Sequence, residues 1–353
     1  MKVVRLVKNS DFKSVEHLVK HSGKGMTTMP KTPKEIKERI GWSEKSRNKK
    51  IKKPNQDSYL FVLEDNGRIV GLSAIYTSVS LKKPSVFFKK SISQLESKSL
   101  NFTKDLDVLS LHLCKQPYSE LGTLFLKPAF RGKGRGSLLS FSRFIFMSAH
   151  QQRFDPKLFV EIRGFKNAKD ESYFWNSFSK TFFNLDFFKA DEISYIDNHF
   201  IMESIPKYPF IIEHMPKKVQ RVIGKPHPNA MPAYSLLRKQ NFRPNGLIDV
   251  LDGGPCLEAK IKDIPLVKSA QLFPIVIKRN INFDRFGFIA NPSIDDFAVV
   301  KENYAFDKDK KELFISAKVA KALNLKPGSL AQVNQCFTYK INGLRGEVSY
   351  LSQ

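Results

Sequence analysis

Apolar and polar positions change period several times along this chain, most sharply between Glu120 and His150. Thr123 to Leu126 is a short, apolar, β-prone run closed by Pro128, which predicts a strand. From Leu138 onward the apolar residues fall at Leu138, Phe141, Ile145 and Ala149, the spacing of one helical face. Between them lies Ala129-Phe130-Arg131-Gly132-Lys133-Gly134-Arg135-Gly136, so the segment reads as strand, glycine-rich loop, helix.

Upstream, Val3 to Val7 predicts a first strand, and Asp11 a cap for a helix through Val19. Ser22 to Pro30 is turn-rich and predicts a loop able to line a pocket. Tyr59 to Glu64 and Ile69 to Tyr76 form a hairpin around Asp65-Asn66-Gly67-Arg68. Residues 78 to 119 are rich in Ser and Lys, and they yield only one strand, Val108 to Cys114. Leu158 to Gly164 predicts the strand after the long helix and carries Glu161 and Arg163. The aromatic segments Ser172 to Trp175 and Thr181 to Phe188 predict core packing.

His227 stands between Pro226 and Pro228, which hold the backbone on both sides, so a rigid loop presents a candidate acid or base. Pro232 to Phe242 reads as a short helix leading to a Phe-led strand. From about residue 268 the character changes to short β-prone runs, Phe286 to Ala290, Phe297 to Val300, Glu312 to Ile315 and Ala331 to Val333, with a helix from Ser316 to Leu323. The expectation is an α/β (α+β) chain with a first domain over 1–267 and a small β-barrel-like domain over 268–353.

Composition narrows the classes. Hydrophobic residues make up 41% and include 30 phenylalanines, enough for a large core, yet no apolar run approaches the ~18–20 residues that span a bilayer. The run Val3 to Val7 is too short for a signal peptide, so neither membrane nor secretion is expected. Cys114, Cys256 and Cys336 are odd in number and widely spaced, which points to a reducing cytoplasm and to no disulfide or metal framework. A net charge of +25 invites a nucleic-acid reading. Its densest run, Lys45 to Lys53, has no aromatic for base stacking and predicts a solvated loop.

The glycine-rich loop carries the chemistry. Gly132, Gly134 and Gly136 leave backbone N–H groups free, the helix start adds unpaired amides, and Arg131, Lys133 and Arg135 add charge, which together make a seat for a pyrophosphate. The dinucleotide spacing G-x-G-x-x-G is not met, and no Gly-Lys-Ser/Thr of a Walker loop is present. Arg-x-x-Gly-x-Gly after a strand ending in Pro, and before Leu-Leu, resembles the coenzyme A motif of the GCN5-related N-acyltransferases (GNAT). That resemblance implies a mixed, splayed sheet with coenzyme A seated on Gly132 to Gly136.

Further blocks are more specific. Gly25 to Pro30, Glu161-Ile162-Arg163-Gly164, Val222-Ile223-Gly224 with His227-Pro228, and Ile248 to Pro255 with Leu257-Glu258 resemble the arginine N-succinyltransferases. The resemblance implies transfer of a succinyl group from succinyl-CoA, a co-substrate and not a prosthetic group, to the α-amino group of L-arginine. It implies His227 as proton donor and Leu124 as coenzyme contact, with Leu126 beside it. Glu161 is a candidate for meeting a cationic substrate or for deprotonating the amine through a water. Carboxylate candidates for the guanidinium are Glu161, Asp249, Asp252 and Glu258. Lys24, Gly122 and residues 78 to 119 depart from the family pattern. Competing readings are an acyltransferase for ornithine or another amine, and a basic nucleic-acid-binding protein; the resemblance leaves room for a homo-oligomer.

Overall fold

Strand β1 (Lys2–Leu6) is paired along both edges and joins two groups of strands into one sheet. The structure, a computed structural model, describes residues 1–20, 29–279 and 281–334, with the short pair Lys340–Ile341 and Leu344–Arg345. Following β1 come β2 (Ser58–Asp65), β3 (Arg68–Val79), β4 (Ser85–Ser97), β5 (Phe102–Cys114), β6 (Tyr118–Leu126), β7 (Lys157–Glu161), β8 (Phe210–Ile211), β9 (Arg243–Ile248) and β10 (Pro255–Lys260). The tail adds β11 (Ala270–Ile277), β12 (Arg285–Asn291), β13 (Ala298–Asp307), β14 (Glu312–Ile315) and β15 (Leu330–Asn334). Their spatial order is β12-β15-β11-β14-β13-β1-β2-β3-β6-β7-β10-β9-β4-β5-β8, and an extra β12–β13 pairing closes the first five into a barrel. Two of these pairs are parallel, β6–β7 and β11–β14. This is the mixed sheet with a barrel-like tail expected from the sequence.

Helices α1 (Phe12–Lys20) and α2 (Pro33–Asn48) cover one face, and α3 (Arg135–Ala149) covers the other. Every residue from Leu138 to Met147 is buried, each large apolar side chain stabilising by about 1.5–3 kcal/mol. The barrel braces this helix: Gln332 Nε2 donates to the Ile145 carbonyl at 3.1 Å and to Ser148 Oγ at 2.8 Å. The aromatic segment packs as predicted, with Phe174, Trp175, Phe178 and Phe183 buried in one cluster. No helix among the described residues is long and apolar enough to cross a membrane.

Several expectations change. Lys45 to Asn48 is the last turn of α2, not loop, and only the residues after it leave the helix. Ser43 and Ser46 of α2 are buried and accept the Leu60 and Ser58 amides of β2, at 2.9 and 3.0 Å, so the second half of the helix docks through hydroxyls while Ile36 and Ile40 bury its first half. Asp11 ends a 3-10 turn ahead of α1 and pairs with Arg5 at 2.7 Å instead of capping the helix. Residues 78 to 119 hold two 13-residue strands, β4 and β5, paired from Ser85↔Cys114 to Ser97↔Phe102. Their distal half is exposed, which erases the alternation that marks a half-buried strand. Lys24 and all but Met29-Pro30 of the Gly25 to Pro30 block lie outside the described residues, as does Cys336.

Candidate active site

The parallel strands β6 and β7 pair only at Ser119↔Leu158 and Glu120↔Phe159, and then part. Asp155 clamps the closed end: it accepts from Ser119 Oγ at 2.8 Å and from the Ser78 amide at 2.7 Å. On the open side β6 carries a bulge against β3, where Leu72↔Phe125 and Ala74↔Gly122 frame one extra residue. Thr123 sits there at φ +51°, its hydroxyl 2.7 Å from Tyr76 Oη. The bulge keeps Leu121, Leu124 and Leu126 on the α3 side, the last two partly buried at the edge of the central core. Unpaired strand edges with apolar side chains behind them suit an extended amide-bearing ligand.

The loop after β6 has the shape that its glycines predict. Gly132 and Gly134 adopt φ +86° and +75°, and Lys133 between them φ +49°. Leu138 donates to the Gly134 carbonyl at 3.0 Å as α3 begins, which leaves the Gly136 and Ser137 amides ahead of that bond. Gly136 is already helical, and a side chain there would enter open space, the space an anion at the helix start would occupy. Gly136→Val should therefore leave stability within about 1 kcal/mol of the parent, the scale of helix propensities, while it weakens coenzyme A binding. Calorimetric titration with coenzyme A checks this, and parental affinity would contradict it. Arg131 and Lys133 are exposed, whereas Arg135 is committed elsewhere. Its guanidinium binds Asp65 at 2.6 Å through Nε, so it anchors the loop to the β2–β3 turn.

On the opposite face from α3 lies a cavity of about 690 Å³. Glu120 from β6 and Glu161 from β7 open into it, because alternation sends Leu121 and Val160 to the α3 core. Asp249, in the turn before β10, and Asp191, on the helix Phe187–Ile196, complete an acidic wall, and Arg39 of α2 lines the same space. Burial pushes the Glu120 carboxyl up to about 7, against the pull of Arg39. Burial, then repulsion from Asp249, lifts Asp191 to about 6. Glu161 is exposed to the cavity, and its carboxyl is raised above the usual range by partial loss of water there, then by Glu120 and Asp249. Such a wall stores unfavourable charge that a cation relieves.

The other candidate carboxylates separate. Asp252 is structural: Oδ2 accepts the Gly164 amide at 2.7 Å and Oδ1 the Gly254 amide at 2.8 Å. That contact needs glycines, since a Cβ on Gly164 would lie 2.1 Å from the Asp252 carbonyl. Asp249 Oδ1 accepts the Leu251 and Asp252 amides at 2.8 and 2.7 Å, yet the residue still lines the cavity. Glu258 does not line it and is paired with Lys157 at 3.3 Å and Asn245 at 3.1 Å. Glu120, Asp191 and Arg39 escaped the sequence reading. Strand phase could have flagged Glu120, which alternates with the core residue Leu121 just before the loop.

His227 is 8% exposed and is not part of the cavity wall. Its amide donates to the Arg163 carbonyl at 2.8 Å, beside the Gly164↔Pro226 bridge. Past the last rung, Glu120↔Phe159, the chain runs on to Leu124 along one parting strand and to Arg163 beyond the other, so Leu124 and the residue bonding His227 lie on the two sides of the gap. The ring Nδ1 accepts the Asn229 amide at 3.0 Å, which places the proton of a neutral ring on Nε2. Burial, then the Arg163 charge, lowers the pKa below the ordinary histidine value.

A family model described as the arginine N-succinyltransferase beta subunit matches residues 2–266. The chain belongs to the arginine N-succinyltransferase family. Among its relatives, the arginine N-succinyltransferase of Yersinia pestis is 32% identical over 347 residues, covering 96% of this chain and 98% of that protein. Arginine N-succinyltransferase subunit beta of Pseudomonas aeruginosa is 34% identical over 271 residues, 76% of this chain and 79% of that one. Among solved structures, arginine/ornithine succinyltransferase subunit AI from Pseudomonas aeruginosa superposes with a TM-score of 0.84 at 28% identity, covering 94% of this chain and 98% of that one. The likeness extends past residue 267, so the barrel belongs to this succinyltransferase architecture as well as the parted sheet.

Proposed function

We propose that this chain transfers the succinyl group of succinyl-CoA to the α-amino group of L-arginine, giving N2-succinyl-L-arginine and coenzyme A. The parted β6–β7 pair carries the reading: a basic glycine loop follows one strand, and an acidic cavity opens on the face away from α3. The pyrophosphate suits the loop, and the pantetheine amides suit the unpaired strand edges beside Leu124 and Leu126. The cationic acceptor suits the acidic wall. The proposed first domain, 1–267, carries these parts, and Gln332 of the proposed second domain, 268–353, braces α3 behind the loop. Free Cys114 and Cys256 suit a reducing cytoplasm.

In the reaction the α-ammonium first gives one proton to a wall carboxylate, Glu120 or Glu161. The free amine attacks the thioester carbonyl, the N–C bond forms, and strand amides near Leu124 stabilise the oxyanion. As the C–S bond breaks, the sulfur accepts a proton from His227 Nε2 in the same step in which the ring takes one from the attacking nitrogen, so the ring stays neutral and passes one proton from nitrogen to sulfur. One proton is released overall. No atom of the protein is acylated.

Thiol release from succinyl-CoA with arginine, with ornithine and with no acceptor tests the reading. Release should be fastest with arginine and absent without an acceptor. Equal release without an acceptor would overturn the transfer, and release with ornithine alone would move the acceptor. The wall adds a pH expectation. Carboxyls raised to about 7 and about 6 are ionised above those values, so arginine affinity should fall as pH drops through this window. Arg39 opposes the rise at Glu120, as Lys31, Arg163 and Lys166 do at Asp191. The bound dication depresses both, so binding near pH 6.5 should release protons, read by calorimetry in buffers of different ionisation heat. Proton uptake, or affinity flat with pH, would count against the wall as the acceptor site.

A further inference from the structure

The strand order β3-β6-β7-β10-β9 sets the charges of the cavity in a row across the sheet: Tyr76, which Arg39 contacts, on β3, Glu120 on β6, Glu161 on β7 and Asp249 just past β9. Arg39 occupies one end, its guanidinium 4.9 Å from the Tyr76 ring and 5.7 Å from the Trp42 ring, and those rings stack 6.0 Å apart. Two aromatic faces therefore hold this cation in a cavity whose other charged lining residues are four carboxylates, Lys82 and Lys83. Glu120 comes next, with Arg39 as the charge that acts on it. Glu161 follows on β7, with Glu120 and Asp249 both acting on its charge. Asp249, just past the end of β9, closes the row, and Asp191 lines the same cavity close enough to repel it. Asp191, Asp249, Glu120 and Glu161 have no salt bridge among the described residues, unlike Asp11 and Asp65, which are paired with arginines.

Free arginine carries its charges in a complementary order: carboxylate, adjacent ammonium, then a guanidinium beyond three methylenes. We propose that the acceptor lies along this row, with its α-carboxylate on Arg39, its α-ammonium between Glu120 and Glu161, and its guanidinium on Asp191 and Asp249. The assignment rests on the arginine-succinylating reading above. Two independent requirements meet in it. Reversing the molecule would set guanidinium against Arg39 and carboxylate against two aspartates, like charges at both ends. The reacting nitrogen must also sit at the gap. Glu120 belongs to the last paired rung of β6 and β7, and Glu161 lies two residues past Phe159 on the parting strand.

Arg39 is thus a specificity-determining residue that reads the α-carboxylate, while Asp191 and Asp249 read the side-chain cation. The test uses three amines: arginine; agmatine, which lacks the carboxylate; and citrulline, whose neutral urea group replaces the guanidinium. The parent should favour arginine over each by ~10²-fold or more in kcat/KM, as sites built to bond a polar group reject analogues lacking it. Arg39→Gln should bring the arginine-to-agmatine ratio to near parity with agmatine turnover retained, which also shows that the variant is folded. Arg39→Lys, which keeps the charge, should retain most of the preference. Asp191→Asn should lower the arginine-to-citrulline ratio and leave the agmatine comparison unchanged. Arg39→Gln with the parental arginine-to-agmatine ratio would overturn the orientation. So would an Arg39→Gln variant that loses discrimination against citrulline instead. A parent that succinylates none of the three overturns the functional reading itself, which separates the two failures.

Discussion

Replacing His227 by alanine lowers kcat by roughly 10²–10⁴-fold, the span a positioned acid or base supplies, and alters either KM far less. The expectation rests on placement: the amide is bonded to Arg163 at the lip of the gap, and Asn229 fixes the ring tautomer. Truncation also removes the acceptor for the Asn229 amide at the start of a 3-10 turn, so part of a loss could be structural. His227→Asn separates the two effects, because a side-chain carbonyl can still take that amide while no titratable ring remains. It should melt like the parent and turn over as poorly as the alanine variant. Parental kcat in either variant removes His227 from the chemistry.

Asp249→Asn lowers the preference for arginine over citrulline by ~10²-fold or more, about 3 kcal/mol. An amide oxygen can still accept the Leu251 and Asp252 amides, so the turn survives while the charge is lost. Glu258→Gln is the control, since Glu258 is bound to Lys157 and Asn245 and does not line the cavity. Its preference should match the parent's. An unchanged Asp249→Asn, or an equal loss in Glu258→Gln, would mean that the guanidinium is not read by this wall.

What the sequence disclosed follows the range of the physics involved. The strand, loop and helix around Gly132 to Gly136 are local, and the change of period shows them without any long-range contact. The pairing of Arg135 was invisible for the opposite reason, since its partner Asp65 lies in a distant hairpin. Helix α2 was hidden because its apolar face is only two isoleucines long, Ile36 and Ile40, and gives way to Ser43 and Ser46, hydroxyls that bond β2 and do not extend the stripe. The bulge at Thr123 was equally silent, as a single extra residue leaves the composition of β6 untouched. Within the candidate site, His227 and Leu124 were reachable through resemblance. Glu120, Asp191 and Arg39 come together only when β6, the helix Phe187–Ile196 and α2 are folded around one cavity, so spacing could not announce them. Asp252 shows the converse, a conspicuous acid in an Asp-Gly-Gly turn whose oxygens are both spent on backbone amides.

The central claim is direct transfer across the gap between β6 and β7, with the coenzyme on one side and the amine on the other. A rapid-quench single turnover, with enzyme in excess over succinyl-CoA and arginine saturating, tests it by mass spectrometry of both protein and product. The account predicts N2-succinyl-L-arginine and coenzyme A appearing at one shared rate, with no succinylated protein at any time point. A succinylated protein species that rises before the product and decays into it would contradict the account.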